Sequence, residues 1–290
     1  LAYIVDDEAM KITHVLRGDE WIASAPRHML IYRALGIEPP VIAHLPRVLG
    51  PDGAKLSKRH GATSVFEYRD QGYLPEAVFN FLGLTGWSLD DKTEIISKAD
   101  FIKHFTLDRV VKNPAIFNIE KLTWMNGVYI REMPAARLVD VLVERLEQDL
   151  PPAVPRPIDR GLIARIAPLI RERIKLLSEA VGYCDFFFTD GLTYSRDELL
   201  GKAYRGRPDD ARSALTAATE RVQSVEWDHD AIEQAMRELA DGLNVKAGDL
   251  FSLVRVAVTG KRVTPPLFES MAILGRDRCL ARLTAAIESV

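Results

Sequence analysis

Between Arg47 and Gly61 the sequence runs Arg-Val-Leu-Gly-Pro-Asp-Gly-Ala-Lys-Leu-Ser-Lys-Arg-His-Gly. Three cations, Lys55, Lys58 and Arg59, crowd one short stretch that has glycines at both ends. Such cations suit a polyphosphate that is transferred or expelled. Their charge stabilises negative charge as it develops, and the glycines let the loop close. The glycine spacing is not GxxxxGK[ST], so a Walker-type cradle is disfavoured. The bland alternative is a solvated basic turn. A K-x-S-K pattern alone arises by chance in roughly 0.06 copies in a chain of this size, so its surroundings must decide. Upstream, Arg17 precedes Asp19, Glu20 and Trp21. By residue type alone, Arg17 reads as a surface ion pair with one of those carboxylates and Trp21 as core. His14, His44 and His60 lack HxxxH spacing and read as structural, with His60 a possible loop donor.

The elements around these residues alternate. Tyr3–Val5 and Ile12–Leu16 read as short strands separated by the acidic turn Asp6-Asp7-Glu8. The apolar opening Leu1-Ala2-Tyr3-Ile4-Val5 reads as a start inside a domain, at a buried strand. A helix follows, with Ser24 as N-cap, Pro26 in its first turn, Met29, Leu30 and Leu35 at helical spacing, and Gly36 past its end. Val41–Leu45 is the next strand, continued by Val48-Leu49. Strand–helix–strand order predicts part of a parallel α/β sheet.

From 62 to 134 the predicted helices are short. One begins at Pro75, with Ala77, Val78, Phe81 and Leu82 inward and Gly83 closing it. A second carries Phe101, Ile102 and Phe105, and a third is capped by Asn118 and holds Leu122 and Met125. Trp87 and Trp124 are the expected aromatic anchors. Beyond 134 the chain reads as all-α. Leu138, Val141, Leu142 and Leu146 form one amphipathic face, the proline-rich stretch 151–157 reads as a linker, and helices follow near 160–177, 179–188, 209–225, 229–241, 246–259, 265–274 and 276–289. The 156–175 stretch holds Arg156, Arg160, Arg165, Arg171, Arg173 and Lys175 against Asp159 and Glu172. On a helix, Arg171 and Lys175 would share a face.

Composition narrows the class. The chain has 290 residues, 47% hydrophobic and 27% charged, which suits two or three globular domains and excludes a disordered or collagen-like chain. Net charge is −3, so any contact with a polyanion must be a local patch. Cys184 and Cys279 are far apart, with no CxxC. That excludes a disulfide framework and a thiolate zinc site by spacing and fits a reducing, cytoplasmic setting. No apolar run is long enough for a membrane span.

The loop and its flanks together resemble the class I aminoacyl-tRNA synthetases, specifically the glutamyl-tRNA synthetases. Lys55-Leu56-Ser57-Lys58-Arg59 is similar to that class's KMSKS signature in its glutamyl form, and His60-Gly61-Ala62-Thr63-Ser64-Val65 extends it. Val5-Asp6-Asp7, Met10 and Ile12 to Glu20 resemble the family's VDDxxMxITHVIRGEE block. Gln71-Gly72-Tyr73-Leu74-Pro75-Glu76-Ala77, Trp124-Met125-Asn126-Gly127, Leu253 to Gly260 and Leu274-Gly275 match in the same order. The resemblance covers essentially the whole chain and implies a mostly α protein with an α/β beginning. Its implied parts are the C-terminal half of the Rossmann-type catalytic domain (1–61), a stem-contact domain (62–134) and two helical anticodon-binding subdomains (135–190 and 191–290).

The resemblance implies roles as well. Lys55 and Lys58 would hold the ATP phosphates and pyrophosphate, and Ser57 would shape the loop. Glu20 and Trp21 would hold ATP, with Glu20 on ribose hydroxyls, and Val48 would meet adenine through its backbone. Arg17 would pair with glutamate, since a guanidinium meets a carboxylate bidentately. Arg173, with Arg171, would read the anticodon, where bidentate arginine–base contacts give about 1–3 kcal/mol of discrimination. The implied ligands are Mg²⁺ with ATP, L-glutamate and the glutamate tRNA, with the glutamine tRNA left open. No zinc is expected in this segment, and the state expected is a monomer. Glutaminyl-tRNA synthetases read the anticodon with β-barrels and the glutamyl-queuosine synthetases lack an anticodon domain, so neither suits this helical tail.

Absent are the HIGH-like motif, the first half of the nucleotide fold, the acceptor-end domain and a glutamate-contacting tyrosine ahead of residue 1. Position 3 is Tyr where some relatives carry Asn. Losing even one transition-state donor commonly costs about 10²–10³ in rate, so the isolated chain is expected not to charge tRNA. The alternative of another class is a non-catalytic RNA-binding module.

Overall fold

The computed structural model describes residues 1–57 and 64–290. The chain divides into two compact units, Leu1–Asn126 and Gly127–Val290. The first unit begins with α1 (Ala2–Ala9), β1 (His14–Gly18), a 3-10 segment (Asp19–Ser24), α2 (Ala25–Leu35), β2 (Val41–Leu45) and β3 (Val48–Leu49). It continues with α3 (Val65–Asp70), α4 (Pro75–Leu84), α5 (Lys98–His104) and β4 (Ala115–Ile116). The unit division falls within α6 (Ile119–Glu132).

The expected parallel pairing is present. β1 and β2 run side by side with Arg17 opposite His44 and Gly18 opposite Leu45. β3 pairs in parallel with β4. α2 between β1 and β2 supplies the crossover that parallel strands need. It starts after Ser24 and stops at Gly36, whose φ of +69° is the left-handed conformation that glycine adopts without a Cβ penalty.

The expected opening strand is a helix. Tyr3–Val5 lies in α1, and Ile4 is its buried residue, while Val5 is exposed. Packing of Ile4 against the α2 side overrides the strand preference of the Tyr-Ile-Val run. The inward face of α2 also differs from expectation: Tyr32 is buried, whereas Met29, Leu30 and Leu35 are exposed.

α4 buries Ala77, Asn80 and Phe81 and leaves Leu82 exposed. Gly83 does not close it, because the helix runs on to Leu84. Instead Gly83 makes room for a ring: a Cβ there would lie 2.5 Å from Phe101 Cζ. Phe101 joins Trp87 and Ile96 in a small core. Ile102 and Trp124 are exposed. α6 turns Leu122, Met125 and Asn126 inward, leaving Trp124 on the other side. Two separated motifs meet here, since Leu74 N–H donates to buried Asn126 Oδ1 at 2.7 Å, and the Tyr73 and Thr123 hydroxyls lie 2.7 Å apart.

The second unit is helical throughout its described elements. These are α7 (Ala135–Asp149), α8 (Arg160–Ile170), α9 (Ala180–Cys184), α10 (Arg196–Leu200), α11 (Pro208–Gln223), α12 (His229–Gly242), α13 (Ala247–Thr259), α14 (Leu267–Leu274) and α15 (Arg276–Ser289). Leu138, Val139, Leu142 and Leu146 are the buried face of α7, with Val139 in the place expected of Val141. The proline-rich 151–157 stretch is non-helical but is no loose linker. Val154 is buried, and Arg156 donates to the carbonyl of Leu150 at 2.9 Å and pairs with Glu147 at 3.2 Å. The expected 160–177 helix ends at Ile170. No helix among the described residues is long and apolar enough to cross a membrane.

Candidate functional site

The basic loop begins as a tight hairpin. Gly50 N–H donates to Ala54 O at 2.7 Å, Gly53 N–H to Gly50 O at 3.0 Å, and Leu56 N–H to Val48 O at 3.1 Å. Asp52 Oδ1 accepts from Ala54 N–H at 3.0 Å. Gly53 sits at φ +74°, so the turn needs a residue free of the Cβ penalty. The hairpin brings Lys55 Nζ within 3.5 Å of Glu20 Oε1, both well exposed. Ser57 is half-buried at the end of the described loop. Lys58, Arg59 and His60 lie outside the described residues.

Glu20 sits close over a backbone without a side chain: a Cβ on Gly18 would lie 2.1 Å from Glu20 Oε2. Its carboxyl is held below the usual carboxylate range, first by its own backbone N–H and then by Lys55 and Arg47. Arg47 pairs with Asp19 at 3.0 Å. The two acidic residues after β1 are thus each matched by a cation from the β2–β3 side.

Arg17 therefore makes neither expected ion pair. Its Nε donates to His44 Nε2 at 3.3 Å, its Nη1 lies 3.2 Å from His28 Nδ1, and its guanidinium stands 5.7 Å from the Trp21 ring centroid. Directly opposed residues on neighbouring strands share a face, which is why Arg17 and His44 meet. Both lie toward the carboxyl ends of parallel strands, where open α/β sheets bind ligands. Trp21 is half-exposed rather than core. His28 completes the set from α2. Nothing in its local spacing marks it, and only the placement of α2 over β1 brings its ring in.

Arg17 Nη2 and Asp7 Oδ2 are buried without a hydrogen-bond partner, beside the Tyr3 and Tyr32 hydroxyls, which face each other. Native proteins leave few such groups, so this cluster points to a polar ligand. The Tyr32 hydroxyl is held above its ordinary range by burial first, then by Tyr3 and Asp7.

In the second unit, the six basic residues of 156–175 separate into two sets. Arg156 is tied as described, Arg160 pairs with Asp140, and Arg165 donates to Ala272 O at 3.2 Å. These are structural. Arg171 and Arg173 lie in turns after α8, so the helical face expected for Arg171 and Lys175 does not exist. Pro168 weakens the last turn of α8 by removing a backbone donor. Arg171 Nε is buried and unpartnered, whereas Arg173 is exposed. Arg255 on α13 stands within electrostatic reach of Arg173, and burial first and that neighbour second lower its affinity for its proton. Arg255 Nη1 donates to Thr264 Oγ1 at 2.6 Å and to Pro265 O at 3.0 Å. Two like charges within electrostatic reach, with Glu269 also near Arg255, raise the local positive potential, which suits an anion or an acceptor-rich base edge. Arg255 was missed because it lies in an apolar helical stretch.

Residues 1–124 match the family described as tRNA synthetases class I (E and Q), catalytic domain, and residues 137–287 match the anticodon binding domain family. The glutamate–tRNA ligase of Dehalococcoides mccartyi is 47% identical over 288 residues, covering 99% of this chain and 59% of the relative. That of Roseiflexus castenholzii is 47% identical over 290 residues, covering 99% and 57%. The crystal structure of a glutamate tRNA ligase from Elizabethkingia meningosepticum, in complex with its amino acid, superposes with a TM-score of 0.84 at 29% identity, covering 99% of this chain and 59% of that one. The chain thus spans under two thirds of the length of these relatives. With both domain families matched in order along it, the chain belongs to the class I glutamyl-tRNA synthetases.

Proposed function

We propose that this chain carries the phosphate-facing loop, the amino-acid-facing arginine and the anticodon-binding part of a glutamate–tRNA ligase. The parent reaction has two steps. The carboxylate of L-glutamate attacks the α-phosphorus of ATP and pyrophosphate leaves. A ribose hydroxyl of the terminal adenosine of tRNA then attacks the acyl carbon, and AMP leaves.

The observation that carries this reading is the gathering of Arg17, Glu20, Trp21 and Lys55 on one α/β framework, with Arg17 Nη2 buried and unpartnered. In this reading Arg17 binds glutamate. Lys55 and Lys58 stabilise the charge growing on pyrophosphate, Ser57 shapes the loop, and Val48 meets adenine. Glu20 and Trp21 hold the nucleoside. The Glu20–Lys55 pair is exposed and easily exchanged. A triphosphate that takes over Lys55 frees Glu20 for ribose hydroxyls, so one event primes both contacts. Asp19 and Glu20 are already matched by cations and form no all-protein cage, so Mg²⁺ would arrive on the ATP phosphates, its common mode. Arg173 and Arg171 would face the anticodon, with Arg255 beside Arg173. The glutamate tRNA is the proposed RNA partner, with the glutamine tRNA a second candidate. The proposed setting is a cytoplasmic monomer, in four parts bounded at 61, 134 and 190.

ATP titrated into the chain, followed by tryptophan fluorescence, tests the reading. Lys55→Ala should weaken the response about tenfold, the scale of one charge-assisted contact. An unchanged response in Lys55→Ala would refute the role of the loop.

A further inference from the structure

Arginine has five N–H donors and no acceptor. Because Arg17 Nε points at His44 Nε2 and Nη1 at His28 Nδ1, both imidazole nitrogens must be bare. Each ring is then neutral in one tautomer, with the proton on Nδ1 of His44 and on Nε2 of His28. The remaining nitrogen, Nη2, is buried and has no partner. Among the described residues no carboxylate lies within ion-pair distance of Arg17. Its third neighbour, Trp21, is again uncharged.

We propose that His28 and His44 are positioning residues that orient the Arg17 guanidinium without neutralising it, leaving the Nη2 edge to receive the carboxylate of the amino-acid substrate. The inference rests on the reading of Arg17 as the glutamate ligand. A carboxylate in either histidine's place would fix the same plane. It would also offset the charge that attracts the substrate, and compete with the incoming carboxylate for the same donors. A neutral imidazole accepts one hydrogen bond and leaves the positive charge available. Two such acceptors on different edges, one from β2 and one from α2, remove rotation of the guanidinium about its stem, so that less freedom is lost on binding.

The arrangement is sensitive to acid. The groups facing His28 are Arg17 from β1 and Arg27 on its own helix, with the Tyr3 and Trp21 rings beside it. Burial first, and then these two cations, lower its affinity for a proton, so His28 stays neutral below its ordinary value of 6.5. Arg17 is the charged group that faces His44. Once His28 is protonated, its Nδ1–H meets the Arg17 donor head-on, and the clamp opens.

The test is L-glutamate titrated into this chain across a pH series, read by nitrogen-15 NMR of the histidine rings and the Arg17 Nε–H. His28→Phe and His44→Phe remove an acceptor each. His28→Gln keeps an acceptor that cannot titrate. The expected result is neutral rings with one bare nitrogen each and a protected Arg17 Nε–H. The Phe variants should lose about ten- to a hundredfold in affinity, the range for a hydrogen bond to a charged group. His28→Gln should recover most of that near neutral pH and lose the wild type's acid-side weakening. Circular dichroism separates misfolded variants, and the His28→Gln profile stands if the Phe forms do not fold. Wild-type affinity and an unchanged pH profile in the variants would overturn the positioning role alone. An intact clamp with no response to glutamate would overturn the ligand reading, and the inference with it.

Discussion

At the scale of single residues, the carboxylates that follow β1 are matched in charge and the arginine at its end is not. Asp19 and Glu20 each have a cation, while Arg17 has only neutral partners. Gly18 is part of this balance, since its missing Cβ is where the Glu20 carboxylate sits. Gly18→Ala should displace a flexible, exposed side chain, leave thermal stability within about 0.5 kcal/mol and weaken ATP binding. Unfolding curves beside an ATP titration check this, and a large stability loss with intact binding would refute it. The two thiols make a simpler case. Cys184 and Cys279 are free and buried, and burial pushes each up to about 12. The thiolate is the reactive form, so neither should react with a disulfide reagent near pH 8 until denaturant is added. Two rapid equivalents from the native chain would contradict their burial.

At the scale of elements, boundaries follow caps and close approaches more than periodicity. α2 was legible because Ser24, Pro26 and Gly36 mark its ends. α4 was misjudged at its end because Gly83 looks like a stop but serves as a seat for Phe101. Gly83→Ala brings about 1 kcal/mol of helix propensity against about 1–3 kcal/mol of overpacking, so a net loss is expected. Urea denaturation should show a lower midpoint with an unchanged slope, and a gain in midpoint would mean the ring has room to move. The turn after α8 carries arginines, which signal no stop, so periodicity alone extends the helix through it. Pro168 was the available warning.

For the whole molecule, function depends on parts with different chemistry. The chain spans 59% of the Dehalococcoides relative, and the proposed anticodon part predicts selective binding of the glutamate tRNA by this chain. Glutamate tRNA and an unrelated tRNA, titrated over a salt series, measure this. Each phosphate contact contributes about −0.9 to the log–log slope for duplex and about −0.7 for single strands. Steep, selective binding would place recognition in this chain. Selective binding that is unchanged in Arg173→Ala and Arg171→Ala would refute the anticodon assignments of those residues.

The family, the parallel α/β beginning and the helical second half are legible in the sequence alone. Those depend on local spacing, on cap residues and on short motifs in a fixed order. The partners of Arg17 come from long-range packing. His44 meets it through strand register and His28 through the packing of a helix, contacts 27 and 11 residues apart in the chain. The tertiary structure likewise decided that the opening Tyr-Ile-Val run is helix and that Trp21 and Trp124 face outward, because which side of an element is buried depends on what packs against it.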